Sequence, residues 1–191
     1  MSTKTTNIMI VGVGGQGTLL ASRILGNAVI RQGHDVKVSE VHGMSQRGGS
    51  VVTYVKYGEK VYSPIIDKGE ADIILAFELL EAYRALPYLK KGGKMIVNAQ
   101  RINPMPVITG AMEYPAQIAE KLDQLVDLTS LDALSLAREA GNIKAVNVVL
   151  IGVMAKKTEI PYEEWVETIK ATVPAKFLEV NLNAFDLGYR L

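Results

Sequence analysis

Two short glycine-rich stretches contain the residue types best suited to binding a charged ligand. The first, residues 12–17, has the sequence GVGGQG and matches G-x-G-x-x-G through Gly12, Gly14 and Gly17. It follows a predicted strand and opens a predicted helix, where free backbone N–H groups and the helix dipole stabilise a phosphate. The pattern therefore predicts an anion-binding turn, although similar turns also occur where a sheet docks on another subunit.

An acidic residue at the end of the second predicted strand supports a dinucleotide hypothesis. Glu40 lies 23 residues after Gly17, close to the spacing of about 20 residues at which dinucleotide-binding folds place the acid that binds the ribose. The chain then enters a polar loop, whereas a dinucleotide-binding half would soon enter another helix. We therefore favour a structural role for Glu40. A stand-alone NAD-dependent oxidoreductase, or a dinucleotide-binding protein, remains an alternative.

The second stretch is the polar loop HGMSQRGGS, residues 42–50. Its two adjacent glycines allow successive N–H groups to form an anion-binding concavity, and its arginine supplies a fork suited to carboxylate or phosphate. Its histidine could titrate near neutrality, but no Ser–His–Asp or Cys–His arrangement can be assembled, so no catalytic residue is assigned. We rank ligand or subunit docking first. A turn whose polar side chains form hydrogen bonds with its own backbone comes second, and a catalytic histidine comes last. The candidates are His42, Ser45, Gln46, Arg47, Gly48 and Gly49.

Composition narrows the classes of function. The chain of 191 residues carries 21 Lys and Arg against 20 Asp and Glu, so nothing favours a nucleic-acid or membrane-surface partner. It has no cysteine, which excludes disulfides, thiolate catalysis and iron–sulfur clusters ligated by this chain. Two histidines without metal-ligand spacing predict no metal site. The absence of cysteine and of a signal-peptide pattern favours the cytoplasm.

The elements that position both loops follow an alternating order. Residues 7–13, 35–41, 71–77 and 94–100 have the apolar patterns of strands, and helical patterns separate several of them. This order predicts a single α/β domain over the whole chain: a mostly parallel sheet with flanking helices and a Rossmann-like glycine-rich first β–α turn. An inserted β-hairpin is predicted near residues 51–66.

Three further expectations concern the remaining segments. Residues 106–110 have the pattern of one more strand. Residues 145–158 are predicted to be helical, and Asn147 near their start is interpreted as a helix cap. The C-terminal residues 175–191 form a predicted helix or arm with one apolar side. That side would suit docking to a second copy as a homodimer, but we prefer packing within the chain.

Together, the two loops carry a family resemblance. Residues 8–26 and 39–58 resemble the small, gamma-type subunit of 2-oxoacid:ferredoxin oxidoreductases. Residues 71–98 and 147–158 extend the similarity over nearly the whole chain. The form VHGMSQRGGSV in the second loop resembles, more narrowly, the indolepyruvate branch, in which the small chain is the beta subunit.

The resemblance implies a division of labour between two chains. A large partner carries thiamine diphosphate, Mg²⁺ and 4Fe–4S clusters, converts aryl pyruvates and CoA to aryl-acyl-CoA, and passes electrons to ferredoxin. This chain, with no cofactor of its own and no activity alone, would complete the complex on the substrate or CoA side. A gamma subunit for pyruvate or branched-chain 2-oxoacids is the alternative within the family. The residues that match the family's first loop, and that we take as the cofactor-binding candidates, are Gly12, Gly14, Gly15, Gln16 and Gly17.

Overall fold

A single mixed sheet organises the computed structural model, which describes residues 5–40 and 48–191. Its strands lie in the order β2-β3-β1-β4-β5-β6. β3 is antiparallel to both of its neighbours, whereas β1, β4, β5 and β6 pair in parallel. The predicted α/β class is therefore confirmed. The strands are β1 (Thr5–Val13), β2 (Asp35–Glu40), β3 (Ser50–Gly58), β4 (Ala71–Ala76), β5 (Leu89–Asn98) and β6 (Asp127–Leu131).

Helices cover both faces of this sheet. α1 and α5 to α8 enclose one apolar core, and α2 and α4 enclose a second core on the opposite face. Within the described residues, no helix combines the length and the hydropathy needed to cross a bilayer. The helices are α1 (Thr18–Arg31), α2 (Leu79–Ala85), α3 (Met105–Ile108), α4 (Ile118–Asp123), α5 (Ala133–Glu139), α6 (Val146–Ala155), α7 (Tyr162–Thr172) and α8 (Leu178–Tyr189).

The central strand β1 shows why the sequence folds this way. Alternate side chains of a strand point to opposite faces, so Ile8 and Ile10 enter one core while Met9 and Val11 enter the other. All four are buried because helices cover both faces. A continuous apolar run is typical of such a strand, and here it places the first glycine loop at the carboxyl end of β1.

The predicted hairpin was placed wrongly. Residues 60–66 form no strand, and β3 pairs instead with β2 and β1. The antiparallel insertion is therefore the β2–β3 pair, whose connection is the second glycine loop. Residues 106–110 are also not a strand, because Pro104 and Pro106 begin the short helix α3. The edge strand β6 was not predicted, since its sequence DLTSL has little apolar character.

The C-terminal segment is helical, and its apolar side serves the core. Phe185 is fully buried, and α8 lies directly against α6. A Cβ placed on Gly188 would lie 2.0 Å from the carbonyl oxygen of Val149, so the two helix backbones are in close contact. Packing within the chain, which we preferred over docking, is therefore the use that the structure shows for this side.

Candidate functional site at the carboxyl edge of the sheet

The first glycine loop joins β1 to α1 and leaves the start of that helix open. Gly15 and Gly17 have φ angles of 97° and 85°, a left-handed conformation that side chains with a Cβ rarely adopt. Gly17 is the N-cap of α1, no side chain caps the helix there, and its first turn contains no acidic residue. The positive end of the helix dipole is therefore not neutralised by the helix itself, an arrangement that suits an anion.

Gln16 fixes the shape of this loop from inside. Its Oε1 accepts a hydrogen bond from the Val13 N–H at 2.7 Å, and its Nε2 donates to the Phe77 carbonyl oxygen at 3.0 Å. A Cβ on Gly12 would lie 2.9 Å from the Gln16 Oε1 and 3.0 Å from the Phe77 Cβ, so only glycine fits. The Gln16 amide is thus engaged within the protein, and its contact with a ligand stays a prediction.

Asn147 ties α6 to the first loop. It is 3% exposed, and its Nδ2 donates to the Gly17 carbonyl oxygen at 3.2 Å. A Cβ on Gly17 would approach that Nδ2 to 2.6 Å, which explains the glycine by close packing as well as by its φ angle. The N-cap of α6 is Ala145, so the interpretation of Asn147 as the cap was wrong. The position of Asn147 near the start of a helix suggested a cap, but its side chain binds Gly17, which lies 130 residues earlier in the chain.

The described end of the second loop, residues 48–50, contacts the first loop. Residues 41–47 lie outside the described residues, and with them the candidates His42, Ser45, Gln46 and Arg47. Gly48 has a φ angle of 98°, and the carbonyl oxygen of Gly49 accepts a hydrogen bond from the Gly14 N–H at 2.8 Å. This bond shows that the described end of the second loop lies beside the first loop at the edge of the sheet. Which of their residues contact a ligand or a subunit stays a prediction.

A buried carboxylate supports the end of the second loop. The Glu81 side chain in α2 is 6% exposed and accepts a hydrogen bond from the Ser50 hydroxyl at 2.5 Å. Its other oxygen accepts from Arg84 Nη1 at 2.6 Å. Sequence analysis missed Glu81, although α2 directly follows the carboxyl end of a buried strand, where α/β proteins place their sites.

A second buried carboxylate lies one turn earlier. Glu78 is the N-cap of α2, is 1% exposed, and accepts from the N–H groups of Glu81 and Ile102, both at 3.0 Å. The Tyr114 hydroxyl donates to it at 2.5 Å. Burial and the adjacent Glu78 carboxylate raise the pKa of Tyr114 well above the ordinary tyrosine value. The Arg101 guanidinium lies 4.2 Å from the centre of the Tyr114 ring. Glu78 thus attaches the segment after β5 to the site.

The position of Glu40 does not favour the dinucleotide hypothesis. β3 lies between β1 and β2, so the end of β2 is one strand further from the first loop than the ribose-binding geometry of a dinucleotide fold requires. The Glu40 carboxylate also accepts a hydrogen bond from the Ser22 hydroxyl at 2.5 Å. This contact agrees with the structural role that we favoured for Glu40.

The start of α1 offers backbone donors to an anion, whereas the N–H groups of Gly14 and Gln16 donate to carbonyl oxygens within the chain. Glu78 and Glu81 accept hydrogen bonds from donors of neighbouring segments, which connects those segments to the start of α2. Among residues 5–40 and 48–191, no group of three or more His, Cys, Asp or Glu side chains could hold a metal ion.

Comparison with known proteins extends over nearly the whole chain. The chain is 46% identical to a protein named indolepyruvate oxidoreductase subunit IorB from Thermococcus kodakarensis, over 98% of this chain and 96% of that one. A protein of the same name from Archaeoglobus fulgidus is 38% identical over 96% of this chain and 93% of its own length.

Solved structures share the fold. The gamma subunit of a keto/oxoacid ferredoxin oxidoreductase from Geobacter sulfurreducens superposes with a TM-score of 0.72 at 24% identity, covering 97% of this chain and 96% of its own. The pyruvate oxidoreductase subunit PORC from Thermotoga maritima gives 0.74 at 18% identity, covering 98% and 96%. The family model described as pyruvate ferredoxin/flavodoxin oxidoreductase matches residues 7–191. On this match, and on the resemblance that the two glycine loops carry, the chain belongs to the pyruvate ferredoxin/flavodoxin oxidoreductase family.

Proposed function

We propose that this chain is the small subunit of an indolepyruvate:ferredoxin oxidoreductase complex and is inactive alone. The observation that carries the proposal is the 46% identity, over almost the full length of both chains, to a protein named indolepyruvate oxidoreductase subunit IorB. The complex oxidatively decarboxylates aryl pyruvates to aryl-acyl-CoA and passes electrons to ferredoxin. A large partner subunit holds thiamine diphosphate, Mg²⁺ and 4Fe–4S clusters, which supply the decarboxylation and the electron transfer.

In this complex, the present chain supplies an anion-binding site at the carboxyl edge of its sheet. The uncapped start of α1 binds a phosphate group of CoA through its backbone N–H groups. Arg47 adds a planar fork for a CoA phosphate or a substrate carboxylate, worth roughly 1.5–3 kcal/mol for each charged hydrogen bond. The second loop also contacts the partner subunit. The hydrogen bond between Gly14 and Gly49 supports a shared site, because it holds the two loops side by side.

The sequence composition supports the same assignment. The chain contains no cysteine, so the clusters that pass electrons to ferredoxin belong to the partner. The near balance of 21 basic and 20 acidic residues gives no support to a nucleic-acid or membrane partner. We place the complex in the cytoplasm, a location that stays a prediction.

A gamma subunit of a pyruvate or branched-chain enzyme is the second candidate. The chain is 29% identical over 91% of its length to a protein named pyruvate/ketoisovalerate oxidoreductases common subunit gamma from Pyrococcus abyssi. That identity is well below the 46% found with the IorB subunit. The two candidates predict the same architecture and differ in substrate, so only the assembled complex can separate them.

The test is co-expression of this chain with the large thiamine-dependent subunit from the same genome, followed by purification through a tag on this chain. We expect a brown complex that contains iron and thiamine diphosphate and oxidises indolepyruvate with CoA and an electron acceptor. Faster turnover of pyruvate or of branched-chain 2-oxoacids would favour the second candidate. A colourless chain that elutes alone beside an active large subunit would overturn both.

The loop assignment has its own test in that complex. Arg47→Ala should weaken turnover or assembly while the isolated chain keeps its melting temperature. Unfolding of the isolated variant would make the second loop a structural element instead.

A further inference from the structure

A segment after β5 has both of its ends attached to one buried carboxylate. This segment, residues 102–114, contains the short helix α3 and the turn after it, and we call it the arm. Oε1 of Glu78, a residue that is 1% exposed, accepts a hydrogen bond from the Ile102 N–H at 3.0 Å and another from the Tyr114 hydroxyl at 2.5 Å. A compact surface segment whose ends meet in this way is an Ω-type loop, a class that frequently carries function.

The outer side of the arm is apolar and exposed. Met105, Ile108 and Met112 are 66%, 64% and 65% exposed. Met105 and Ile108 lie three residues apart on α3 and therefore share one side of it. The Met112 N–H donates to the Pro106 carbonyl oxygen at 3.0 Å, which brings Met112 back to α3. Single exposed apolar residues are ordinary, whereas neighbouring ones that form a patch mark a surface for interaction.

The charge at the base of the arm indicates what kind of surface covers this patch. No residue from 102 to 112 is charged. Arg101 lies with its guanidinium 4.2 Å from the centre of the Tyr114 ring, and its Nε donates to the Asn103 Oδ1 at 2.9 Å. Within the part of the chain that the structure describes, no carboxylate forms an ion pair with Arg101. Its terminal nitrogens can therefore bind a carboxylate of another molecule through two parallel hydrogen bonds.

The size of the arm shows that it belongs to a larger interface. A stable protein–protein interface takes about 20–30 residues from each side, and the arm is shorter than that. Two copies that met through their arms alone would therefore form too small a contact. The neighbouring surface is the carboxyl edge of the sheet, because the Gln100 carbonyl oxygen accepts from the Leu79 N–H at 3.1 Å and the Gln100 Oε1 lies 3.5 Å from the Gln16 Nε2 of the first loop.

We propose that the arm docks on the large partner subunit. Its three exposed apolar side chains enter an apolar depression there, and Arg101 binds a carboxylate at the rim. The choice of partner rests on the proposed function. Because Glu78 closes the base of the arm before the partner binds, little backbone freedom is lost on docking.

Binding of the purified large subunit to the immobilised full chain tests the proposal. Ile108→Asp places a charge within the patch and should raise the Kd at least about tenfold. Met105→Asp should act in the same way, so the test does not depend on one variant. Because both side chains are exposed, the melting temperature of each isolated variant should stay within about 2 °C of the unmodified value.

Leu125→Asp is the matched control. Leu125 is 63% exposed, nearly as much as Ile108, but it lies two residues before β6 at the amino edge of the sheet. The variant should leave the Kd unchanged. An equal rise in Kd for Leu125→Asp and Ile108→Asp would overturn the proposal, because the effect would then not be specific to the arm.

Substitution of Arg101 tests the expected carboxylate. Arg101→Gln should raise the Kd roughly fivefold and should weaken its dependence on salt concentration. Arg101→Lys keeps the charge but lacks the planar fork, so it should recover only part of the affinity. A salt dependence that is the same in Arg101→Gln and in the unmodified chain would contradict this contact.

The outcomes separate this proposal from the proposed function. If the unmodified chain does not bind the large subunit, the proposed function fails and the partner assigned to the arm fails with it. If the large subunit binds the unmodified chain and Ile108→Asp equally well, the proposed function stands and the docking proposal is overturned. A dimer of the isolated chain that Ile108→Asp abolishes in analytical ultracentrifugation would make a second copy the occupant, and would also overturn the proposal.

Discussion

Two regions of this protein achieve close contact by opposite means. At the carboxyl edge of the sheet, polar side chains such as the buried Glu78 and the half-buried Gln16 hold neighbouring segments through hydrogen bonds. Behind the sheet, α6 and α8 meet through Gly152 and Gly188, where a Cβ on either residue would lie 2.3 Å or less from a backbone oxygen of the other helix.

The comparison teaches how the two regions should respond to change. A polar network loses stability when a donor or acceptor is left without its partner, and a conservative substitution can restore part of it. A glycine contact between helices has no such flexibility, since any added carbon pushes two rigid backbones apart. Single substitutions at the contact between α6 and α8 should therefore cause the largest losses of unfolding free energy. Substitutions at the carboxyl edge of the sheet should cause smaller losses that depend on how many hydrogen bonds each one removes.

Gly188→Ala should produce the largest loss. Its Cβ would lie 2.0 Å from the Val149 carbonyl oxygen, so α8 must move away from α6. We expect the free energy of unfolding, measured with urea, to fall by about 3 kcal/mol. Gly26→Ala in α1 is the control, because its nearest neighbouring atom is 4.0 Å away. It should be neutral or stabilising by up to ~1 kcal/mol. Equal losses in the two variants would show that the close contact of Gly188 with Val149 does not cause the effect.

Glu78→Ala should have the next largest effect and should act at the carboxyl edge. It leaves the N–H groups of Glu81 and Ile102 and the Tyr114 hydroxyl without their acceptor, at a cost of about 2 kcal/mol in unfolding free energy. The pKa of Tyr114 should fall toward the ordinary tyrosine value, which ultraviolet titration measures. Glu113→Ala, at an exposed position, should change neither quantity. A Tyr114 pKa that stays raised in Glu78→Ala would assign the shift to burial alone.

Gln16→Ala should cause a smaller loss of unfolding free energy, because it removes the side-chain hydrogen bonds that fix the first loop. The variant removes an acceptor from the Val13 N–H and a donor from the Phe77 carbonyl oxygen. We expect a loss of about 1–2 kcal/mol in unfolding free energy. Hydrogen exchange should show faster exchange of the Val13 amide than in the unmodified chain. Unchanged protection there would mean that the loop keeps its shape without the Gln16 amide.

The smallest effect concerns the apolar region and depends on pH. The Tyr162 hydroxyl donates to Asp186 of α8, and this bond and partial burial raise the Tyr162 pKa to about 12. Because the folded-state pKa lies above the unfolded value of about 10, the contribution is fully present below pH ~10 and is lost as the pH rises through about 12. Urea unfolding at several pH values should therefore show a steeper alkaline loss for the unmodified chain than for Tyr162→Phe. Parallel curves would show that the contact does not influence folding.

Local patterns identified the strands and helices wherever burial imposed a clear period. The runs at β1 and β4 are apolar because both faces of those strands are covered, and α6 is apolar on all sides because all ten of its residues are buried. Patterns failed where burial was partial. The strand β6 has mixed polarity at a sheet edge, and prolines turn the apolar stretch at 106–110 into the helix α3.

In the candidate site, too, some features could be predicted from local sequence patterns and others could not. The glycine pattern at residues 12–17 and its place between a strand and a helix were visible locally, because the conformations that glycine allows are a property of single residues. The contacts of Ser50 with Glu81 and of Asn147 with Gly17 join residues 31 and 130 positions apart. The hydrophobic periodicity of a single segment cannot predict hydrogen bonds between residues so far apart in the sequence.

By itself, the sequence determined the α/β class, the glycine turn at the end of β1, the lack of cysteine ligands and the resemblance carried by the two loops. Only the tertiary structure decided that β3 separates β2 from β1, which moves Glu40 away from a ribose-binding position. It also decided that the Gly14 N–H donates to the Gly49 carbonyl oxygen and that the Ser50 hydroxyl donates to the buried Glu81. The physical reason is that side-chain periodicity reports burial along one segment, whereas strand order and long-range hydrogen bonds depend on which segments share a core.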